Sequence, residues 1–79
     1  MYYVYVLQSE RTGRRYTGSA VDVAERLERH NGGRSKATKS GRPWRLIHTE
    51  SFDTRAEAVR RESYLKTGAG RDELETTLG

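Results

Sequence analysis

Residues 2–8, YYVYVLQ, contain the longest apolar run in the chain. Aromatic and β-branched residues favour an extended strand, and both faces of this strand would be apolar. Such a strand must be covered on each face by other elements. The run is also far shorter than the roughly 20 residues that span a bilayer, so we expect no membrane association. The segment therefore predicts the central strand of a layered domain.

The composition limits how much core can surround that strand. The chain has 79 residues, of which 33% are hydrophobic and another 33% are charged. We expect one domain, residues 1–79, with a thin core and little tolerance for an unpaired buried charge. The absence of cysteine excludes disulfides, thiolate zinc sites and a thiol nucleophile. Together with an N-terminus that lacks a signal-peptide pattern, this predicts a cytoplasmic protein.

A hairpin is predicted next to the first strand. The segment SERTGR, residues 9–14, has the composition of a turn, and Gly13 can supply a positive φ. RYTGSA, residues 15–20, can then return as the second strand. This pairing would bring Tyr5 and Tyr16 into one neighbourhood.

Three helices and a third strand are predicted for the remainder. Asp22 precedes Glu25 by three positions, a spacing typical of a helix start, and Thr54 and Glu57 repeat it. The glycine-rich TGAG is expected to separate the second helix from the third. The predicted ranges are 22–31 for the first helix, 44–52 for the third strand, 54 to 66 or 67 for the second helix and 71–78 for the last helix. The order β-β-α-β-α-α predicts an α+β fold, in which helices flank a small three-stranded antiparallel sheet.

Glu62, in AVRRESYLK, lies on the side of its predicted helix where an apolar residue is expected. That side is formed by Ala58, Val59 and Leu65. An ion pair with Arg26 is one explanation for a carboxylate at this position, although burial would make such a pair a poor source of stability. A ligand role in a functional site is the other.

The first helix also directs polar groups toward the sheet. Arg26 and His30 border its apolar stripe, and the strands offer the hydroxyls of Tyr5 and Tyr16. These groups, with a carboxylate, suit phosphodiester chemistry, which needs a metal ligand, a cation for the phosphate and a proton acceptor. The alternative is that these residues have purely structural roles, since His30 can cap helix carbonyls and tyrosines are often core residues.

Positive charge is concentrated in one segment. The formal net charge is +4, and no acidic residue occurs between Glu28 and Glu50. The segment contains NGGRSKATKSGR, which reads as a flexible basic loop suited to phosphate contacts. A solvated loop without a partner is the alternative. The basic residues in this interval are Arg29, Arg34, Lys36, Lys39, Arg42 and Arg45.

Several motifs together resemble the GIY-YIG nuclease family. YVY at residues 3–5 and YTG at residues 16–18 stand where the family has its two tripeptides. Arg26 in ERLERHN and Glu62 in RRESYLK match the family's arginine and metal-binding glutamate. HNGG, RPWRLI and YLKTGAGR resemble the small single-domain bacterial branch. Two departures are that Tyr3 replaces the first glycine, and that no asparagine follows Glu62 in KTGAGRDELE.

The resemblance implies a metal-dependent endonuclease that hydrolyses phosphodiester bonds in nucleic acid, with DNA expected first. Glu62 would hold Mg²⁺ or Mn²⁺, and Arg26 would bind the scissile phosphate. Tyr5 and Tyr16 would bracket the attacking water, one of them as general base, and His30 would relay the proton or contact phosphate. Cutting would be weakly sequence-specific or structure-selective, with a role in DNA repair or recombination.

Nucleic acid is the expected partner, and recruitment by another protein is a further expectation. The alternative is a nucleic-acid-binding module of the same fold that cleaves little or nothing. The residues expected to contact nucleic acid are Arg29, Arg34, Lys36, Lys39 and Arg42 of the basic segment, together with Lys66 and Arg71 of KTGAGR.

Overall fold

The computed structural model describes residues 1–78, in which three strands and three α-helices follow the predicted order. The α+β fold and the three-stranded antiparallel sheet are confirmed. Among the described residues, no helix is long and apolar enough to cross a membrane. The elements are β1 (Tyr2–Ser9), β2 (Arg15–Ala20), α1 (Val23–Asn31), a 3₁₀ turn (Lys39–Gly41), β3 (Trp44–Phe52), α2 (Arg55–Leu65) and α3 (Gly68–Leu78).

Strand β1 occupies the centre of the sheet, as its two apolar faces predict. The strand order is β2-β1-β3, and both pairings are antiparallel. The four residues Val4 to Leu7 are each at most 1% exposed, because helices cover both faces of the sheet. One face packs against α2 and α3 through Val4, Val6, Ala58, Leu65 and Leu74, and the other packs against α1 through Tyr5, Leu7, Trp44 and Leu27.

The hairpin between β1 and β2 sets the register that the site depends on. Ser9 Oγ accepts hydrogen bonds from the backbone N–H groups of Arg11 and Thr12, and Gly13 takes a positive φ of 79°. This turn places Tyr5 opposite Gly18. Residues directly opposite in an antiparallel pair project to the same face of the sheet, so Tyr5 and Gly18 both face α1.

Both predicted capping pairs start helices. Asp22 accepts a hydrogen bond from the backbone N–H of Glu25 at 3.0 Å, and Thr54 accepts one from Glu57 at 3.2 Å. The prediction that Val59 lies on the inner side of α2 is wrong, because its side chain is 45% exposed.

The last helix begins three residues earlier than predicted, and α2 ends at Leu65. The Thr67 hydroxyl accepts a hydrogen bond from the Gly70 N–H at 3.1 Å, which caps the new helix and brings its glycines inside it. A Cβ at Gly70 would lie 2.5 Å from Leu65 Cα and closer still to the Tyr64 carbonyl oxygen. Gly70 therefore allows α3 to pack tightly against the end of α2.

We expect Gly70→Ala to lower the free energy of unfolding by about 2 kcal/mol, because the added methyl meets backbone atoms that cannot move independently. Gly68→Ala is the matched control, since its Cβ would have nothing within 4 Å. The control should change stability by less than about 1 kcal/mol. Urea unfolding of the two variants compares them directly, and equal midpoints would contradict this packing role.

The basic segment is held against the domain, which corrects the prediction of a flexible loop. Thr38 is fully buried, and its carbonyl accepts a hydrogen bond from the Trp44 indole N–H at 2.7 Å. Ser9 Oγ donates to the Gly41 carbonyl at 2.5 Å. The segment thus covers Trp44 while its arginines and lysines face outward.

Candidate active site

The Tyr5 hydroxyl is cradled by Gly18. A Cβ at Gly18 would lie 2.6 Å from this hydroxyl oxygen and 2.7 Å from the ring carbon that carries it. Only glycine leaves that space, so the glycine of YTG provides more than the tight bend its sequence suggests. The two tripeptides meet because the hairpin register pairs these two residues.

Tyr5, Tyr16 and His30 form an aromatic cluster on the α1 side of the sheet. The ring centroids of Tyr5 and Tyr16 are 6.3 Å apart, and those of Tyr16 and His30 are 4.8 Å apart. The Tyr5 hydroxyl lies 3.0 Å from His30 Nε2. His30 is only 3% exposed, so α1 delivers this imidazole into the interior rather than to a solvated helix end.

His30 is held by a second hydrogen bond that orients its ring. Nδ1 lies 2.7 Å from Thr38 Oγ1, and that hydroxyl lies 3.5 Å from the Ser35 carbonyl, which can only accept. With the Thr38 proton directed to Ser35, Nδ1–H donates to Thr38 and Nε2 accepts from Tyr5. Burial and the neighbouring positive charges of Arg26 and Arg29 lower the pKa of His30, which keeps the imidazole neutral at pH 7.

Tyr5 is a proton donor in the folded protein. Burial, with a smaller contribution from Tyr16, raises the pKa of Tyr5 to about 12, although the nearby Arg26 guanidinium opposes this rise. The Tyr5 hydroxyl therefore stays protonated near neutral pH. If it accepts a proton from water, it must pass its own proton on, and His30 Nε2 is the acceptor in contact with it.

We expect one of the five tyrosines to ionise late, at about pH 12, in a spectrophotometric titration of the folded protein. The unfolded chain loses this proton near pH 10, so Tyr5 lowers the free energy of unfolding progressively between about pH 10 and pH 12 and has no such effect below pH 10. Tyr5→Phe should abolish the late transition, whereas its persistence in that variant would contradict the assignment.

Glu62 reaches the edge of β2 from the other face of the sheet. Its Oε1 accepts a hydrogen bond from Ser19 Oγ at 2.7 Å, and its Oε2 accepts one from Lys66 Nζ at 2.7 Å. Burial opposes ionisation, but the hydrogen bonds from Lys66 and Ser19 outweigh it and hold the pKa of Glu62 below its ordinary value. The ion-pair partner of Glu62 is thus Lys66, one helical turn away, and the alternative pairing with Arg26 does not form among the described residues.

Arg26 lies near both the aromatic cluster and the contact between Ser19 and Glu62. It is one turn before His30 on α1, and its guanidinium is close enough to influence the Tyr5 hydroxyl. Arg26 and Ser19 both line a cavity of about 220 Å³ at the end of β2. The charge of Glu62 also acts on Tyr5, which places the carboxylate, the guanidinium and the phenol in one electrostatic environment.

The residues around Glu62, at the edge of β2, are suited to bind a divalent ion that keeps most of its water ligands. Residues 1–78 contain no group of three or more histidine, cysteine, aspartate or glutamate side chains arranged to hold a metal. Mg²⁺ is commonly bound by one or two carboxylates together with waters and substrate phosphates. Glu62 is ionised and already accommodates a cation, the Lys66 ammonium, at Oε2. The donor set therefore suits a single-carboxylate site rather than a closed cage.

The residues expected to contact nucleic acid fall into two groups. Arg29 pairs with Glu25 at 2.7 Å, and Arg42 Nε donates to the Lys39 carbonyl at 3.0 Å, so two of them are partly engaged within the protein. Lys66 and Arg71 lie on the opposite side of the sheet, with α2 and α3. The first group is Arg29, Arg34, Lys36, Lys39 and Arg42, in α1 and the segment that follows it.

Ser19 and Thr38 were not predicted from the sequence. Ser19 directly follows YTG, and strand alternation puts it on the face opposite Gly18, where it meets Glu62. This strand alternation is the sequence signal from which the position of Ser19 could be predicted. Thr38 gave no signal, because its contact with His30 depends on how the basic segment folds back.

Comparison with known proteins identifies the family of this chain. The family model described as "GIY-YIG catalytic domain" matches residues 1–74. A UPF0213 protein of Staphylococcus saprophyticus is 42% identical over 67 residues, which cover 84% of this chain and 80% of that protein. A UPF0213 protein of Halobacterium salinarum is 45% identical over 67 residues, covering 84% of this chain and 86% of that protein.

A solved structure extends the agreement to the fold. The solution NMR structure of the UPF0213 protein BH0048 from Bacillus halodurans is 33% identical and superposes with a TM-score of 0.59, covering 98% of this chain and 85% of that one. The tripeptides, Arg26 and Glu62 all lie within the matched residues. The chain therefore belongs to the GIY-YIG nuclease family, and within it is similar to the UPF0213 proteins.

Proposed function

We propose that this protein is an endonuclease that hydrolyses phosphodiester bonds in nucleic acid. Its proposed substrate is DNA, and its proposed cofactor is Mg²⁺ or Mn²⁺. The observation that carries the proposal is the Tyr5 hydroxyl, which contacts a neutral imidazole and lies within the fields of Arg26 and Glu62. A proton acceptor, a cation for phosphate and an ionised carboxylate are the groups that this reaction requires.

The proposed proton path runs from water through Tyr5 to His30. Tyr5 Oη accepts a proton from the attacking water as its own proton passes to Nε2, so no free phenolate is needed at neutral pH. The Thr38 hydroxyl holds the ring in the orientation that keeps Nε2 available. Tyr16, whose ring centroid lies 4.8 Å from that of His30, would orient the same water.

Arg26 is proposed to bind the scissile phosphate. A guanidinium offers two parallel donors to phosphate oxygens and stays charged at every working pH. Glu62, whose Oε1 accepts a hydrogen bond from Ser19, is the residue that would hold the divalent ion. When bound, such an ion supplies charge stabilisation for the leaving oxygen.

The alternative is a nucleic-acid-binding module that does not cleave. It is favoured by the observation that residues 1–78 contain no group of three or more histidine, cysteine, aspartate or glutamate side chains that could hold a metal ion. Both functions use the same basic residues, so binding alone does not separate them.

A substrate panel separates the two functions. The purified protein is incubated with single-stranded, duplex and branched DNA and with single-stranded RNA, each with Mg²⁺, with Mn²⁺ and with EDTA. The proposal expects cleavage of at least one substrate with a divalent ion and none with EDTA. Binding to these substrates without any cleavage would favour the non-cleaving module.

Lys66 is expected to compete with the divalent ion for Glu62. Its ammonium occupies Oε2 at 2.7 Å, and its side chain is half exposed. We expect Lys66→Met to tighten Mn²⁺ binding about fivefold, which corresponds to roughly 1 kcal/mol, the upper end for an exposed ion pair. Electron paramagnetic resonance of free Mn²⁺ measures the change. Lys36→Met, which removes an exposed lysine from the basic segment, should leave the affinity as it was, and the same affinity in Lys66→Met would contradict the competition.

A further inference from the structure

Ser9, at the end of β1, is a buried polar residue that takes no part in the proposed proton path. It is 2% exposed. Its Oγ accepts hydrogen bonds from the backbone N–H groups of Arg11 at 3.2 Å and Thr12 at 2.9 Å, and it donates to the Gly41 carbonyl at 2.5 Å. A hydroxyl has one proton and two lone pairs, so these three contacts use its whole hydrogen-bonding capacity. Ser9 therefore joins the hairpin turn to the 3₁₀ turn of the basic segment.

Other contacts also hold the basic segment against the hairpin turn. The backbone N–H of Glu10 donates to the Pro43 carbonyl at 2.9 Å. Nη2 of Arg14 donates to the Ala37 carbonyl at 3.1 Å. One of these contacts precedes Gly41 along the segment and the other follows it. The Gly41 carbonyl is therefore held in place from both sides as well as by the serine hydroxyl.

The 3₁₀ turn links Gly41 to Thr38. The Gly41 N–H donates to the Thr38 carbonyl at 3.2 Å. A Cβ at Gly41 would lie 3.0 Å from Cε2 of Trp44 and closer still to Cζ2, so the turn packs directly against the indole. The indole N–H donates to the same Thr38 carbonyl at 2.7 Å. Thr38, which is fully buried, is thus fixed by the turn and by Trp44 together.

Thr38 connects this turn to His30. Its Oγ1 lies 2.7 Å from Nδ1 of the imidazole, which is itself 3% exposed. In a neutral histidine one ring nitrogen carries the proton and the other accepts, and the hydrogen bond made by one nitrogen sets the state of the other. An acceptor at Nδ1 keeps Nε2 free to take the Tyr5 proton. Without that acceptor, the proton can move to Nε2, which then no longer accepts from Tyr5.

We propose that Ser9 and Thr38 form one positioning unit for His30. Ser9 holds the 3₁₀ turn against the hairpin, and the turn holds Thr38 at Nδ1, which keeps Nε2 available to the Tyr5 hydroxyl. Both residues are buried, so they act through the imidazole and not by contact with nucleic acid. This inference rests on the proposed nuclease function and deepens it, because it identifies what sets the state of the proton acceptor.

The tautomer of His30 tests the positioning unit without requiring cleavage. The chain has two histidines, so the variant His48→Gln assigns the imidazole signals in a long-range proton–nitrogen NMR spectrum. His48, which lies beside Glu50, serves as the internal reference. We expect the Nδ1–H form of His30 in the wild type. Ser9→Ala and Thr38→Val should each increase the share of the Nε2–H form and leave the His48 signals unchanged.

Cleavage kinetics provide the second readout. Ser9→Ala and Thr38→Val should each lower kcat about tenfold, the lower end for a partner that orients a functional imidazole, with KM changed by less than about twofold. Because both residues act through one contact, the double variant should lose no more than about tenfold. Thr38→Ser keeps the hydroxyl and should restore the Nδ1–H form and most of the rate. Ser40→Ala is the matched control, since Ser40 is an exposed serine of the same 3₁₀ turn, and it should change neither readout.

Several results would overturn the proposal. They are an Nε2–H form of His30 in the wild type, an unchanged tautomer in Thr38→Val, equal losses of rate in Ser9→Ala and Ser40→Ala, and losses that multiply in the double variant. Melting temperatures show which variants are folded. A Ser9→Ala chain that does not fold would assign Ser9 a purely structural role and overturn its part in the unit, while Thr38→Val still tests the other part.

The two readouts separate the positioning unit from the nuclease function. Unchanged tautomers in the variants of a protein that cleaves would overturn the positioning unit and leave the nuclease intact. Changed tautomers in the variants of a protein that cleaves nothing would support the positioning of the imidazole and overturn the nuclease.

Discussion

Replacing Glu62 with glutamine is expected to slow metal-dependent cleavage at least a hundredfold. The amide keeps the size of the side chain and can still accept from Ser19, but it removes the charge that a divalent ion needs. Loss of roughly 3 kcal/mol of charge stabilisation corresponds to a little over two powers of ten in rate. Single-turnover cleavage of the best substrate in the panel measures the change.

Glu28→Gln is the control for this substitution, because Glu28 is an exposed glutamate on α1. It removes the same charge from the protein and should leave the rate within twofold of the wild type. Binding of Glu62→Gln to nucleic acid in EDTA should be preserved. A cleavage rate for Glu62→Gln close to that of the wild type would contradict a metal role for this residue.

Tyr5→Phe is expected to reduce cleavage by about 10² to 10⁴, the range for loss of a general acid–base group. The phenyl ring fills the same place between β1 and α1, so core packing is retained. The hydroxyl that contacts His30 Nε2 is lost, which leaves a buried acceptor without its partner and costs about 1 to 3 kcal/mol of stability. The substitution thus separates the chemistry of the hydroxyl from the bulk of the ring.

Tyr64→Phe provides the comparison for Tyr5→Phe. Tyr64 is 38% exposed and its hydroxyl bonds Glu73 at 3.3 Å, away from the aromatic cluster. Its cleavage rate should match that of the wild type. If Tyr5→Phe were as active as Tyr64→Phe at pH 7, the proton path through Tyr5 would be wrong, and Tyr16 would become the first residue to test.

Much of the fold follows from local patterns. The central position of β1 follows from its two apolar faces, and the starts of α1 and α2 follow from the Asp22 and Thr54 caps. The start of α3 does not follow from such patterns. Gly70 lowers helix propensity, yet it is helical because only a residue without a side chain fits against the end of α2. Tertiary packing overrides propensity at that position.

The candidate site, like the fold, is predicted only in part by local sequence patterns. Helical spacing placed Arg26 and His30 toward the sheet, and the hairpin pattern brought Tyr5 near Tyr16. The partners that tune these groups come from distant parts of the chain. Ser19 and Glu62 are 43 residues apart, and their contact depends on sheet register and on the angle of α2 together. The Thr38 contact to His30 requires the basic segment to fold inward, which its composition does not favour.

The most direct test of the nuclease proposal is a titration of Mg²⁺ and Mn²⁺ in a cleavage assay with the wild-type protein and Glu62→Gln side by side. The substrate is a labelled DNA strand with a single-stranded arm beside a duplex. We expect saturable activation of the wild type by the divalent ion, no product in EDTA, and little or no activation of Glu62→Gln. Cleavage that persists in EDTA, or equal activation of the two proteins, would contradict a metal-dependent site built on Glu62.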